Sequence, residues 1–280
     1  MNLTSPSQVK AWCIENEFHP NKVLGQNFLI DNNALQAIVD AGLSAPAAEA
    51  SDSDAKTPLR VLEIGPGLGV LTEELLRRGC EVTAIEKDPT LAARLKEALG
   101  NPPGLTVVAG DALAWIDRLE QQTEVPHFDR MVSNLPYQAG TRILLDLARR
   151  REIPAMTVLV QTEVAERLAA GPGTKTRGLA GVWTQLDYDV QIVRKVSASC
   201  FWPRPEIGSS VVRLVRHDRY VSLTGDERDF FFRLTKEAFA HRRKQLGSIF
   251  KDMIQSTARA EELEIDDWTT LVKGLLHEDT

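Results

Sequence analysis

Four short stretches carry residues whose types and spacing could do chemistry. The run Val61-Leu62-Glu63-Ile64-Gly65-Pro66-Gly67-Leu68-Gly69-Val70-Leu71-Thr72 sets a glycine-rich turn between an apolar strand and a helix. Gly65 and Gly67 let the backbone bend sharply and let a ligand come close. Glu86 ends the next apolar run, EVTAIE, about 20 residues beyond the glycines, where a carboxylate can accept from both hydroxyls of a ribose. Asp111 follows a third run, VVAGDAL, where a carboxylate can take an adenine amino group or simply cap a helix. Such a turn fits a dinucleotide as well as S-adenosylmethionine. Dinucleotide sites carry G-x-G-x-x-G, the third glycine packing helix on strand, and here that sixth position, counted from Gly65, is Val70. The E-x-G-x-G-x-G form, with Glu63 ahead of the glycines, suits a methyltransferase better. The fourth stretch, SNLPYQAG from Ser133 to Gly140, closes an apolar run with an amide, a proline and an aromatic ring. Asn and Pro punctuate chains, so alone it reads as a strand-ending turn.

The elements that must position these residues follow from the hydrophobic pattern. Strands are expected at Leu59–Ile64, Glu81–Ile85, Thr106–Ala109, Phe128–Ser133 and Ala155–Val160. Amphipathic segments alternate with them, as in Leu68–Arg78, where Leu68, Leu71 and Leu75 share one helical face. This alternation implies an α/β fold, a parallel sheet covered by helices, with ligands at the carboxyl ends of its strands. Asp189–Val196 and Ser209–Val215 are expected as an antiparallel pair on the sheet edge. Ser5–Glu17 and Asp31–Gly42 read as N-terminal helices. From Thr224 onward only helices are expected: Asp226–Phe239, His241–Met253 and one near Trp268–Leu276. The domains are accordingly expected at 1–216, catalytic, and 217–280, small and helical.

Composition bounds the function. The chain has 280 residues, 43% hydrophobic and 26% charged, as in soluble globular proteins. No apolar run reaches the ~18 residues of a membrane span. The N-terminus, MNLTSPSQVKAWCIENEF, has no basic start and apolar core, so the expected location is cytoplasmic. The three cysteines, Cys13, Cys80 and Cys200, are far apart, and the five histidines are scattered, so neither disulfides nor a metal are expected. A net charge of -6 speaks against a protein that coats nucleic acid non-specifically. The charge is uneven, however: Ser44–Thr57 is small, polar and acidic and reads as a surface insertion, whereas His241-Arg242-Arg243-Lys244 is a compact basic block. A monomer is expected, since no extra interface element is evident.

With NLPY at the fourth strand end, the chain resembles the N6-adenine methyltransferases, where [D/N/S]-P-P-[Y/F/W] occupies that position. It is more closely similar to the ribosomal RNA adenine dimethyltransferase family of the small-subunit type, and the likeness covers nearly the whole chain. The matching stretches are LGQNFLID (Leu24–Asp31), EIGPGLGVLT, GDAL, NLPY, QTEVAERLAAGPGTK (Gln161–Lys175), FWPRPEIGSSVVRL (Phe201–Leu214) and HRRKQL (His241–Leu246). Three positions depart from the family pattern: Arg142 replaces a proline after NLPY, Arg177 an aromatic after PGTK, and Gln245 a threonine.

The resemblance implies a Rossmann-like S-adenosylmethionine-dependent methyltransferase, with S-adenosylhomocysteine as product and no metal. An adenine amine is a poor nucleophile because its lone pair is conjugated into the ring. The Asn134 side-chain oxygen and the carbonyl of Leu135 or Pro136 can accept its two hydrogens and favour a pyramidal nitrogen. Pro136 fixes the backbone and offers no N–H. Tyr137 offers a face for stacking a base taken out of its helix or loop, and Phe201 could cover the other face or pack in the core. Asn27 and Leu29 are implied to close over the cofactor with Gly65, Gly67, Glu86, Asp111 and Asn134. Arg242, Arg243 and Lys244, opening a helix, with Lys251, Lys175 and Arg177, are implied to contact RNA phosphates. The implied activity is dimethylation of two adjacent adenines near the 3′ end of 16S rRNA in the immature small ribosomal subunit. A large-subunit 23S rRNA methyltransferase of the antibiotic-resistance type and a non-catalytic small-subunit assembly factor stay open beside it, as does, more remotely, a small-molecule oxidoreductase.

Overall fold

In the computed structural model the described residues are 3–44, 57–119 and 126–277; the acidic stretch 44–57 lies outside them except for its two ends. Nine strands are described: β1 (Phe28–Leu29), β2 (Arg60–Ile64), β3 (Glu81–Glu86), β4 (Leu105–Ala109), β5 (Arg130–Asn134), β6 (Ala155–Gln161), β7 (Tyr188–Val196), β8 (Phe201–Trp202) and β9 (Ser209–Arg216). Seven of them form one sheet in the order β4-β3-β2-β5-β6-β9-β7. β4, β3, β2, β5 and β6 run parallel, and β9 returns antiparallel to β6. β1 and β8 pair antiparallel in a separate ribbon, Phe28 opposite Trp202 and Leu29 opposite Phe201.

The parallel strands are apolar because helices cover both their faces. Val61, Val82, Leu105, Val132 and Leu159 each leave no more than 1% exposed, packed with Ile38, Val39, Leu71 and Leu75 from the helices Asn32–Ser44 and Val70–Arg77. Each such side chain contributes about 1.5–3 kcal/mol by leaving water. The chain runs from β2 outward through β3 to β4, then crosses back to β5 and β6. Strand order therefore reverses between β2 and β5, and a crevice opens at their carboxyl ends.

The chain forms two compact units, 1–165 with 191–216, and 166–190 with 217–280. The cut at 216 expected from the hydrophobic pattern is only one of the crossings. The segment 166–190 joins the helical unit because Val182 and Leu186 are wholly buried in its core, with Phe231, Trp268 and Val272. The helices Gly225–Ala240 and Ile265–His277 frame that core. The first opens on a reciprocal cap in which Thr224 Oγ1 accepts from the Glu227 N–H and the Glu227 carboxylate from the Thr224 N–H. The helix expected over His241–Met253 is shorter, Leu246–Phe250, so the basic block lies in the turn before it rather than in its first turn. Gln245 at its N-cap makes no side-chain cap bond, which the threonine common in the resembled family could make.

Candidate active site

The crevice is a cleft of about 1200 Å³ including its open mouth. It gathers ten of the expected residues: Asn27, Leu29, Gly65, Gly67, Glu86, Asp111, Asn134, Leu135, Pro136 and Tyr137. Eight of them meet because parallel strands deliver their carboxyl ends to one edge; Asn27 and Leu29 come from β1 and the residue before it.

The floor is the turn after β2. Gly65 and Gly67 take φ of +69° and +60°, values that strain any side-chain-bearing residue, and a Cβ on Gly67 would stand 3.1 Å from the Phe28 ring. Glu86, 6% exposed, is held by two backbone donors: the Gly67 N–H to Oε2 at 3.0 Å and the Asp88 N–H to Oε1 at 2.8 Å. Burial pushes its carboxyl up while these bonds pull it down. Each oxygen keeps a second lone pair, so the carboxylate can still accept from a ligand. Asp111 does both things its position allows. Its Oδ1 caps the helix Ala112–Leu119 through the Leu113 N–H at 2.8 Å, and its Oδ2 pairs with Lys87 Nζ at 2.7 Å. The Lys87 ammonium, with those backbone donors, holds the Asp111 carboxyl below its usual range.

Glu63 is the group in the cleft wall to which the residue pattern assigned no role of its own. It is 1% exposed, its Oε2 accepts from Thr72 Oγ1 at 2.7 Å, and burial, aided by the nearby Glu86, pushes its carboxyl up to about 8. The signal was available: a charged residue inside an otherwise apolar strand has to be buried and bonded.

The far wall follows β5. Asn134 Nδ2 donates to the Asn27 carbonyl at 3.3 Å, which leaves Oδ1 as its acceptor end. The Leu135 N–H continues the ladder to the Leu159 carbonyl at 3.1 Å. The Pro136 carbonyl already accepts from the Gly140 N–H at 2.7 Å, starting the helix Gly140–Arg150. A Cβ on Gly140 would lie 2.9 Å from Leu135 Cβ, so glycine lets the helix come this close. The half-buried Tyr137 hydroxyl meets Ser209 Oγ at 2.8 Å. Arg142, the proline replacement, points its guanidinium to Asp146 at 2.8 Å on the exposed helix face.

Two expectations are corrected here. Phe201 does not line the cleft; it is 2% exposed and packs in the core with Leu29, Val196 and Val211. Its pairing in the β1–β8 ribbon turns it inward. Arg177 is not a surface cation either. It is 1% exposed, and its guanidinium donates to the Ala170 carbonyl at 2.8 Å, a buried tie within the helical unit. Lys175, Arg243, Lys244 and Lys251 are exposed. Arg242 is half-buried, donating to the Lys175 carbonyl at 3.2 Å, with Glu261 at 3.8 Å.

The donor set fits a nucleoside-bearing cofactor: bare glycine backbone on the floor and carboxylates at two successive strand ends. Among the described residues no cluster of His, Cys, Asp or Glu is placed to hold a metal ion, and no helix is long and apolar enough to cross a membrane.

Comparison with known proteins narrows the chemistry. The family model for ribosomal RNA adenine dimethylase matches residues 17–275. A ribosomal RNA small subunit methyltransferase A of Alkaliphilus oremlandii is 34% identical over 98% of both chains. A protein of the same name from Deinococcus radiodurans is 42% identical over 76% of this chain and 67% of its own. Among solved structures, a dimethyladenosine transferase from Plasmodium falciparum superposes with a TM-score of 0.71 at 22% identity, covering 89% of this chain and 97% of that one, which supports the fold.

Proposed function

The chain belongs to the ribosomal RNA adenine dimethylase family, and from that premise we propose that it dimethylates the N6 amines of two adjacent adenines near the 3′ end of 16S rRNA. The substrate is the RNA within an immature small ribosomal subunit, and the enzyme acts as a cytoplasmic monomer. The observation that carries the reading is the oriented Asn134 amide, its oxygen without a partner among the described residues, at the carboxyl end of β5 beside Leu135, Pro136 and Tyr137.

S-adenosylmethionine supplies a methyl group on a sulfonium, whose leaving group is a neutral thioether. Glu86 and Asp111 bind its ribose and adenine, while Gly65, Gly67, Asn27 and Leu29 shape the walls around it. Asn134 Oδ1 accepts one hydrogen of the target amine. The Leu135 carbonyl accepts the other; that of Pro136 has one of its two lone pairs on the Gly140 N–H and would be the weaker acceptor. Two acceptors below the ring plane draw the nitrogen lone pair out of conjugation. Tyr137 holds one face of the flipped base, a stack worth ~1–3 kcal/mol. Rate enhancement then rests on positioning and on acceptors preset for the charge developing on nitrogen. Water takes the proton; no side chain is needed as a strong base. Arg242, Arg243, Lys244, Lys251 and Lys175 contact RNA phosphates.

The test offers radiolabelled S-adenosylmethionine with unmethylated small subunits and naked 23S rRNA side by side. Dimethyladenosine in the small subunit alone is the expected result. Label in the 23S RNA assigns the enzyme to the resistance type, and no label with cofactor binding intact leaves a binding role in assembly.

A further inference from the structure

Stacking a base needs only a ring, yet the aromatic residue at the cleft carries a hydroxyl that is tied down. Tyr137 Oη lies 2.8 Å from Ser209 Oγ, and Ser209 is wholly buried. The segment that presents Ser209 is itself fixed. Ser209 stands opposite Gln161 at the end of β6. One residue back, the Gly208 carbonyl accepts from the Thr162 N–H at 3.0 Å. One residue on, Ser210 Oγ meets Thr162 Oγ1 at 3.1 Å. A Cβ on Gly208 would stand 3.1 Å from the Val196 carbonyl oxygen, so the backbone packs closely against its neighbour there. The Tyr137 ring is therefore held at both ends: by Pro136 on its backbone side, and by a braced serine at its tip.

The two methyl transfers use this brace unequally. In the first, both N–H groups of the amine are available to Asn134 Oδ1 and the Leu135 carbonyl. The nitrogen lone pair forms the bond to the methyl carbon, the carbon–sulfur bond breaks with its pair on sulfur, and one proton leaves to water. In the second, the nitrogen carries a methyl and one N–H, so only one acceptor can be satisfied. The stacking face then carries a larger share of the orientation.

We propose that Ser209 is a positioning residue for the second methyl transfer, fixing through Tyr137 Oη the ring plane against which the monomethylated adenine is aligned. This rests on Tyr137 being the stacking face. The test follows N6-monomethyl- and N6,N6-dimethyladenosine over time by nucleoside mass spectrometry, on unmethylated small subunits. The variants are Ser209→Ala, Ser209→Thr, Tyr137→Phe, the Ser209→Ala/Tyr137→Phe double and Tyr137→Ala, each checked for S-adenosylhomocysteine affinity. Ser209→Ala and Tyr137→Phe are each expected to slow the second transfer about three- to tenfold, the worth of one hydrogen bond. In each the first transfer is slowed less than the second, so that monomethyladenosine accumulates, and the double variant is no worse than either single. Ser209→Thr restores the native ratio. Tyr137→Phe breaks the same bond without touching β9, so the comparison survives if Ser209→Ala folds poorly. Equal slowing of both steps, or losses that multiply in the double variant, reduces the bond to a fold staple and overturns the proposal. If Tyr137→Ala transfers both methyls at the native rate, the stacking reading fails instead.

Discussion

The cleft of the sheet unit and the basic turn of the helical unit handle polar groups in opposite ways. In the cleft, Glu63, Glu86 and Asn134 are each aimed by a named hydrogen bond, and the two carboxylates are nearly removed from water. In the helical unit, Arg243 and Lys244 project into solvent from a turn, while Arg242 donates to the Lys175 carbonyl. The contrast suits the two tasks proposed for them. Aligning a nitrogen lone pair with a methyl group tolerates errors of a fraction of an ångström, so its groups are preset. Holding an RNA backbone needs positive charge within a Debye length, about 8 Å at physiological salt, and exposed flexible cations suffice. Loss of a buried, aimed group in the first region should be costly at any salt, and loss of a cation in the second smaller and salt-dependent.

The most severe test of that contrast is Asn134→Ala. On the proposed reading it removes an acceptor used in the transition state while leaving Glu86 and Asp111 in place. We expect kcat for methyl transfer to fall about 10²–10³-fold, the range for losing one preorganised transition-state contact. Cofactor affinity, read by calorimetry, should stay within about threefold. A comparable loss in affinity would move Asn134 from the chemistry to cofactor binding.

The second test asks whether the buried charge in the cleft is coupled to folding. Glu63 holds its proton up to about 8 when folded, against an ordinary value of 4.5. Its folded value is the raised one, so its contribution to stability is fully present below 4.5 and is lost as pH rises toward 8. The loss is on the order of a few kcal/mol. Glu63→Gln, which cannot ionise, should remove that slope. The melting temperature of the variant relative to the native chain should therefore rise between pH 5 and pH 8, in buffers of equal ionic strength. A difference independent of pH would mean that Glu63 is solvated more than its burial implies.

Legibility in the sequence followed the same division. The placement of Glu86, Asp111 and the glycine turn around one cleft was readable because each is tied to a strand end, and a parallel sheet lines up strand ends whatever else surrounds them. The five parallel strands were displaced by no more than about two residues, since apolar runs of this kind are long and continuous. Phe201 was misplaced because its facing depends on the register of a two-residue ribbon with Leu29, which no local pattern encodes. Arg177 was misplaced for the converse reason. A lone arginine in a glycine-rich loop looks exposed until the carbonyl of Ala170, seven residues earlier, is known to receive it. That segment 166–190 packs with the helical unit was not legible, because core membership is settled by distant partners such as Phe231 and Trp268.

In the basic turn the expected effects are smaller and share a signature. Arg243→Ala and Lys244→Ala should each weaken binding of the RNA substrate a few-fold, with kcat unchanged at saturation. Each should also lower the slope of log affinity against log salt by about 1, as for the loss of one phosphate contact. Arg242→Ala should cost more than either, since it also releases the 171–178 loop from its carbonyl anchor. A salt slope unchanged in all three would take the turn out of the RNA interface.

The smallest effect is expected from a residue that belongs to the cleft by position and to the surface by physics. Lys87 pairs with Asp111 at 2.7 Å, yet its side chain is 59% exposed and that of Asp111 37%. An exposed pair is worth at most about 1 kcal/mol and is screened by salt. Asp111 does not depend on Lys87 for its direction, because the Leu113 N–H fixes Oδ1. If Asp111 takes the adenine amine as proposed, removing the ammonium also frees Oδ2 for it, which offsets part of any loss. Lys87→Ala should therefore change S-adenosylmethionine affinity by less than about fivefold, and by less still at high salt. Asp111→Ala, which loses the acceptor itself, should cost about tenfold or more at any salt. If Lys87→Ala matched Asp111→Ala, nearness to the chemistry would matter more than burial, and the contrast between cleft and turn would need redrawing around position. If it does not, the dividing line is desolvation: a group counts heavily where water cannot replace it, even among neighbours lining the same cleft.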